Sequence, residues 1–448
     1  MSKKYSLKFW IIFWMLSAVF LAIFYLFLQI KNKNIQIQKV ANFFPIGDQY
    51  KSVAYFADYF LKQDNQERTF LALFQNNMEI RPGGGFIGSF GILKVKNGQV
   101  SDMQIHDTGN FDGRVPNIVP APYPMWEMLR IKTMQFRDSN FSPDFPTNAK
   151  KAEEFYYLGQ GQEKFDGVVG VTTNVLISFL KATGPVEIPG YPGTYGDENA
   201  VLTLEYQVEK AFDEQGIARG DRKNVMNELG KVILQKISTL SLPQKIEFAK
   251  IIFEDLNKKD IQLYFKDPAL QAQVENNGWS GEVDSVWKKD YLMTADANLG
   301  SYKSDYYVKR SLDYSVDLSG EVPKAVLKIT YNHTAKQKDW MTNNYTDFLR
   351  VYVPDGSWLD DSKNFDNPKF GKEFNKTYFG AIARVPIGTS KIVELEYTLP
   401  KEIKDDYSLK IQKQAGLNNI PAAVHIIDAN RDKKDYEFTM NGDIILSE

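Results

Sequence analysis

The residues best suited to chemistry stand together in Asn76-Asn77-Met78-Glu79-Ile80-Arg81-Pro82-Gly83-Gly84-Gly85-Phe86. Amides, a carboxylate and a guanidinium close an apolar segment, and three glycines then let the backbone turn and approach a ligand. Glu79 and Arg81 lie two apart, so they share one face of an extended chain. The lysine and hydroxyl of a phosphate-binding P-loop are missing, and by composition alone a glycine-rich turn with a satisfied Glu–Arg pair is the plainer reading. A second cluster, Arg219-Gly220-Asp221-Arg222-Lys223-Asn224, opens an amphipathic helix. Arg219, Arg222 and Lys223 can hold a phosphate there, with Asp221 as the expected N-cap. Three cations oppose the positive end of a helix dipole, which argues against a merely solvated face. The third candidate is Asp107, with His106, Asn110, Asp112 and Arg114 around it, where a carboxylate can take a hard cation or an Asx-rich turn can form.

Several classes of function are excluded. The chain has 448 residues and no cysteine, so disulfide frameworks, thiolate zinc sites and a cysteine nucleophile are ruled out. His106, His333 and His425 are too scattered for a local histidine metal motif. Fifty-four basic against 56 acidic residues argue against bulk electrostatic binding of nucleic acid. Asp428-Ala429-Asn430-Arg431-Asp432 imitates an EF-hand but has Lys433 and Thr439 where glycine and glutamate belong.

The elements that position these residues follow from periodicity. Arg68–Gln75 reads as an apolar strand, and residues 84–105 as a hairpin turning at Asn97-Gly98. Residues 110–146 are proline-rich and read as a long ordered loop or lid. FDGVVGVTT is a buried strand, and NVLISFLKATG an amphipathic helix capped by Gly184. Helices are expected over 199–215, 221–239 and 243–257, the second burying Val225, Leu229, Val232, Ile233 and Ile237. Strands and helices alternating over 68–300 predict an α/β domain. Over 301–448 the alternation changes to period two between turns, in runs such as VPKAVLKITYNHT and KIVELEYTLP, which predicts an antiparallel, immunoglobulin-like β-sandwich.

Ahead of both lies Phe9–Ile30, 22 residues without a charge. As a helix it is roughly 33 Å long, enough to span a bilayer core, and it ends at Lys31 without a small-residue cleavage site. Residues 1–30 are expected to be a cytoplasmic leader and uncleaved transmembrane helix, 31–67 a helical stalk, and the rest extracytoplasmic. The mean hydropathy of -0.37 excludes a polytopic membrane protein.

The run FLALFQNNMEIRPGGGFIGSFGILKVKNGQ resembles the signature of the bacterial domain-of-unknown-function family numbered 4012. So do FDGVVGVTTNVLISFLKATGPVEI, RGDRKNVMNELGKVIL, DYLMTADANLGSYKSDYYVKR and YSLKIQKQAG. The resemblance implies an anchored bacterial surface protein without an agreed activity. More distantly, the order of Glu79/Arg81, Gly184-Pro185-Val186 and Arg219-Gly220-Asp221-Arg222-Lys223 is similar to that of LytR-CpsA-Psr enzymes, which transfer polyprenyl-pyrophosphate-linked glycopolymers to peptidoglycan. Their Tyr-x-Arg-x-Arg segment is replaced by Tyr206-Gln207-Val208-Glu209, and their arginines are absent from it. This second resemblance implies a single-pass protein of the bacterial cell membrane that binds a polyprenyl-(pyro)phosphate-linked or cell-wall glycan through Asn77, Arg81, Arg219, Arg222 and Lys223. The alternative it implies is a Mg²⁺-dependent glycosyl-phosphate transferase, with Glu79, Arg81 and Asp107 catalytic and Glu79 and Asp107 on the metal.

Overall fold

A computed structural model of the protein describes residues 47–447, in two compact units: residues 47–67 with 95–100, and residues 68–94 with 101–447. The expected anchor Phe9–Ile30 and the start of the expected stalk lie outside the described residues. Among the described residues no helix is long and apolar enough to cross a membrane.

The first unit contains α1 (Asp48–Leu61) and the tip of a hairpin. Asn97 and Gly98 have φ of 52° and 76°, the pair of positive values that a two-residue turn matching strand twist requires. Gln63 Nε2 donates to the Asn97 carbonyl at 3.1 Å, and Asn65 N to Asn97 Oδ1 at 3.0 Å.

The strands β1 (Glu67–Asn76), β2 (Phe86–Lys96) and β3 (Gln99–Asp107) are followed by a short helix, α2 (Thr108–Asp112), and by α3 (Phe145–Leu158). Then come β4 (Gly167–Thr172) and α4 (Thr173–Thr183), ended by Gly184 at φ 77°. A small pair, β5 (Val186–Glu187) and β6 (Thr194–Tyr195), precedes α5 (Ala200–Tyr206), α6 (Asn224–Thr239), α7 (Leu242–Asn257), β7 (Ile261–Phe265) and α8 (Pro268–Asn276). The five long strands form one sheet in the order β3-β2-β1-β4-β7, with β1 and β4 parallel and β7 antiparallel to β4. Leu71, Leu73 and Phe90 join Phe145, Ala152 and Phe155 of α3 in a buried core. Because side chains alternate across a strand, Phe74 and Val171 are left for the opposite side, towards α4 to α7. The proline-rich stretch is ordered: Met125, Met134, Phe136 and Phe141 are buried in the same core.

The C-terminal region is strand-rich. It comprises β8 (Asp290–Ala295), β9 (Val308–Asp317), β10 (Lys324–His333), β11 (Tyr345–Pro354), β12 (Trp358–Lys363), β13 (Asp366–Glu373), β14 (Lys376–Val385), β15 (Ser390–Thr398), β16 (Ser408–Ile411), β17 (Ile420–Ile427), β18 (Lys433–Met440) and β19 (Ile444–Ser447). They make two six-stranded sheets, β12-β15-β10-β9-β17-β18 and β13-β14-β11-β8-β16-β19, which share one core around Tyr331, Val351, Phe379, Leu395 and Val424. The purely antiparallel arrangement expected from sequence needs correction, since β17 runs parallel to β9 and β16 parallel to β8. Both parallel pairs join strands remote in sequence, where no hairpin turn dictates direction.

Asp290 links the two sheets of this core. Its Oδ2 accepts from Tyr314 Oη of β9 at 2.8 Å and from Tyr407 Oη at 2.7 Å. Burial raises its carboxyl from 3.8 to about 6, against the pull of the Tyr407 and Tyr314 hydroxyls and the Tyr291 N–H. A carboxyl raised in the fold favours the protonated, folded chain. Its stabilisation is complete below the unfolded value and is lost as pH rises through about 6, a change of about 3 kcal/mol. Urea unfolding should therefore show Asp290→Asn gaining stability relative to the parent between pH 4 and pH 7.5. A pH-independent difference would contradict this account of the core.

Candidate ligand-binding cavity

The apolar faces of α4 to α7 meet in part, in a buried cluster that includes Phe179, Leu180, Leu204, Val225 and Leu229 and in an edge-to-face contact of Phe179 with Phe248. They do not close fully on the sheet. Between them lies a cavity of about 930 Å³, walled by side chains such as Val175, Leu176, Leu204, Leu229, Ile233 and Phe248. Val175, Leu176, Ile233 and Phe248 are only half-buried, unlike the close-packed core on the other side of the sheet. Protein interiors hold few voids larger than a water molecule, which makes this apolar volume the candidate ligand site.

At one end the lining becomes charged. Arg81, Arg137, Lys210, Arg222, Lys223 and Lys303 face the same cavity as Glu79, Asp138, Glu205 and Glu209, while Arg137 and Lys223 also pair with Asp112 and Asp107 just outside the lining, at 2.6 and 3.4 Å. Arg222 Nη1 lies 2.9 Å from Glu209 Oε2, while Lys303 Nζ sits 3.3 Å from Glu205 and 3.4 Å from Glu209. Asn76 Nδ2 donates to Glu205 Oε1 at 2.7 Å. Burial raises the Glu205 carboxyl despite Lys303, and burial also raises Asp138. At Glu209 burial pushes upward, but Lys303 and Arg222 outweigh it and hold the carboxyl below its ordinary value. Two of the four carboxyls are thus biased toward neutrality, and burial, against the pull of Asp107, biases the Lys223 ammonium the same way, so the two effects oppose each other.

The residues singled out from sequence divide. Glu79, Arg81, Arg222 and Lys223 come together on this cavity. Glu79 and Arg81 form a buried pair at 2.7 Å, and Arg81 also donates to the carbonyls of Ile80 and Asn298. Asp107 faces a neighbouring smaller cavity, where it accepts from the N–H groups of Gly109 and Asn110 and lies 3.4 Å from Lys223. Asn77 lines neither cavity, because its amide donates to Gly416 O at 2.9 Å and its oxygen accepts from Thr173. Arg219 is exposed on a 3-10 turn, Arg219–Asp221, and lines neither cavity. Asp221 belongs to that turn, so the N-cap of α6 is Lys223, which makes no side-chain cap. Lys303, Glu205, Glu209, Arg137 and Asp138 escaped sequence reasoning. Lys303 lies in the flagged DYLMTADANLGSYKSDYYVKR motif, and Glu209 ends the Tyr206-Gln207-Val208-Glu209 segment.

The carboxylates do not fit a bound Mg²⁺. Glu79 is engaged by Arg81, and Asp107 by two N–H groups and Lys223 in a different cavity. Among the described residues no three His, Asp or Glu side chains gather to hold a metal ion. No step is therefore derived through one.

The three glycines serve the chain itself. A Cβ on Gly85 (φ 156°) would lie 2.5 Å from the Asn76 carbonyl, and one on Gly416 (φ 79°) would lie 2.1 Å from Gly84 O. Gln414 Nε2 donates to Arg81 O at 3.0 Å in the same contact. The backbone approach expected for a ligand is made by the segment 414–416 after β16.

Residues 65–208 match the model of DUF4012, a protein family of unknown function, so the resemblance read from sequence holds over that span. No curated protein sequence matches the chain. Similar solved structures include the Lin1025 protein from Listeria innocua, which is 10% identical with a TM-score of 0.28 over 48% of this chain and 79% of that one. The transcriptional regulator yvhJ from Bacillus subtilis is 10% identical with a TM-score of 0.26, over 47% of this chain and 78% of its own. Bacillus subtilis TagV is 11% identical with a TM-score of 0.28, over 49% and 81%. These neighbours are LytR-CpsA-Psr-like proteins. Likeness at this level fixes neither fold nor activity.

The glycine contact beneath the charged end is the part of the site least open to change. Gly416→Ala should lower stability by about 2 kcal/mol or more, from the left-handed backbone and the clash with Gly84 O. An unchanged urea midpoint would show that this contact is not needed.

Proposed function

We propose that the protein binds a polyprenyl-(pyro)phosphate-linked glycan of the bacterial cell envelope, with the hydrocarbon in the large cavity and the phosphate at its charged end. One observation carries this reading: a cavity of about 930 Å³ with apolar walls that opens onto a charged end where Arg222, Lys223 and Lys303 gather. That volume is at the upper end of the range for small-molecule sites, about 300–1,000 Å³. An uncharged ligand would leave the cations without a role, and a water-soluble anion would leave the apolar walls uncovered. An amphiphile with an anionic head satisfies both. The guanidinium of Arg222 offers the fork suited to phosphate oxygens, and Lys223 and Lys303 add point charges.

The finer reading of the fold belongs with this function: a LytR-CpsA-Psr-like α/β domain followed by an immunoglobulin-like β-sandwich, with the division expected at residue 300 moved ahead of β8 (Asp290–Ala295), which pairs with β11 and β16. The uncharged run Phe9–Ile30 supports a single-pass anchor in the bacterial cell membrane with the bulk of the chain outside, where such lipids and peptidoglycan meet. Binding without catalysis is favoured over the Mg²⁺-dependent transferase because Glu79 and Asp107 face different cavities and are each already engaged.

Filling the cavity tests the role of its walls. Leu229→Trp with Ile233→Trp should reduce binding of a polyprenyl phosphate in detergent micelles at least tenfold, with cooperative unfolding retained. A folded double variant that binds like the parent would overturn the reading. The charged end makes a separate demand. Arg222→Ala with Lys303→Ala should weaken the same lipid about tenfold and flatten the dependence of affinity on salt, while a neutral polyprenol is held unchanged. Equal losses for phosphate and alcohol would show that the cations do not meet the head group.

A further inference from the structure

Beside the charged end lies a second cavity of about 380 Å³, and it has the opposite character. Its lining is mostly polar: His106, Asp107, Asn110, Arg114, Asp221 and Asn224. It shares Ile105 and Lys223 with the large cavity, so one lysine faces both spaces. Asn227 is spent on the protein, since its side chain accepts from Ile105 N at 3.0 Å and donates to Ile105 O at 3.1 Å. Asn110 is partly spent, donating to Gly220 O at 2.9 Å.

Other groups are not. His106 stacks on Phe90 with ring centroids 5.0 Å apart, and its buried Nε2 has no hydrogen-bond partner. Burial, and then Arg114, lower its basicity, so the ring is a neutral imidazole with one nitrogen free to donate or accept. The Arg114 guanidinium lies 4.6 Å above the Phe111 ring and has no ion-pair partner among the described residues. Asn224 has a single long bond, to Asp221 at 3.5 Å. A buried polar atom without a partner is costly, and a hydroxyl placed in this cavity would satisfy it.

Charge decides which ligand fits. Arg114 and Lys223 are balanced by Asp107 and Asp221, and the Lys223–Asp107 pair leaves this cavity no net charge to offer. A second phosphate would meet as much negative as positive charge here, whereas a neutral ring of hydroxyls would meet amides, carboxylates, an imidazole and a guanidinium that can all bond to it. We infer that this cavity seats the first sugar of the lipid-linked glycan, with Lys223 at the wall between sugar and phosphate. The three spaces then follow the order of the ligand's own parts: apolar cavity for the tail, cations for the phosphate, neutral polar cavity for the sugar. This rests on the tail-and-phosphate reading above and adds a site for the sugar.

The test uses the full chain in detergent micelles with two probes, a polyprenyl phosphate and the same lipid phosphate carrying one N-acetylglucosamine. The parent should bind the sugar-bearing lipid about tenfold more tightly. Arg114→Ala with Asn224→Ala should abolish that preference and leave the bare lipid bound as before. If the double variant also loses the bare lipid, Arg114→Lys, which keeps the charge without the fork, should keep the bare lipid and lose most of the preference. No preference in the parent, or a preference that survives these changes, would overturn the sugar site while the tail-and-phosphate reading stands. Free N-acetylglucosamine competing as strongly as the lipid-linked sugar would also overturn it, because the shared Lys223 wall ties the sugar to its phosphate. Failure of both lipids to bind the parent would remove the underlying reading and this inference with it.

Discussion

The arrangement depends on how the end of β1 is tied to the strand-rich region. Arg81 is a buried cation, and a buried charge is tolerated only where it is paired and hydrogen-bonded. It meets Glu79 beside it and the carbonyl of Asn298 from the other region, while its own carbonyl accepts from Gln414. Ile80 N donates to Asp305 Oδ2 at 3.0 Å, and Asp305 is in turn held by Arg310 and by Asn298. The glycine contact between Gly84 and Gly416 leaves room for this junction. Lys303 lies between Asn298 and Asp305, so the junction also sets the cation that spans Glu205 and Glu209.

This constraint explains why Glu79 and Arg81 are better understood as framework than as free reagents. Most of the donors of Arg81 are committed to protein oxygens, and Glu79 is committed to Arg81. The groups more open to exchange for a ligand are Arg222, Lys223 and Lys303. Their carboxylate partners, Glu209, Asp107 and Glu205, lie at 2.9 to 3.4 Å. An anionic head would share these cations rather than displace their partners, and the Glu205 carboxyl, raised by burial, is the one best able to yield its share by taking up a proton. In the proposed complex the apolar walls would supply affinity and the cations orientation, a division common in small-molecule sites.

Much of this was legible in the sequence where local physics acts alone. The hairpin at Asn97-Gly98, the cap at Gly184 and the burial of Val225 and Leu229 on α6 follow from turn chemistry and periodicity. Val232, Ile233 and Ile237, expected on the same buried face, are only half-buried. Strands β9, β10 and β15, whose alternation the structure keeps, follow from periodicity too, whereas β11 is buried along nearly its whole length. What was not legible depends on long-range contact. Lys303 reaches Glu205 across about a hundred residues, and no local pattern announces such a pair. The glycines after Arg81 follow the plainer of the two sequence readings, a turn beside a satisfied Glu–Arg pair, but only the fold shows that Gly416 packs against them. Arg219 looked equivalent to Arg222, but the 3-10 turn directs the two differently. The cavity itself could not be read, because a half-buried apolar helix face has the same periodicity whether a ligand or a neighbouring helix covers it.

The claim that most needs testing is that the large cavity holds the tail of a phosphate-bearing polyprenyl lipid. The most direct measurement is mass spectrometry of lipids extracted from the full-length chain, purified in a mild detergent from a bacterial membrane. The account predicts a polyprenyl phosphate or pyrophosphate, with or without sugar, near one per chain and depleted when Leu229 and Ile233 are enlarged to tryptophan. Lipid-free protein, or ordinary diacyl phospholipids in the same amount with parent and filled variant, would contradict it.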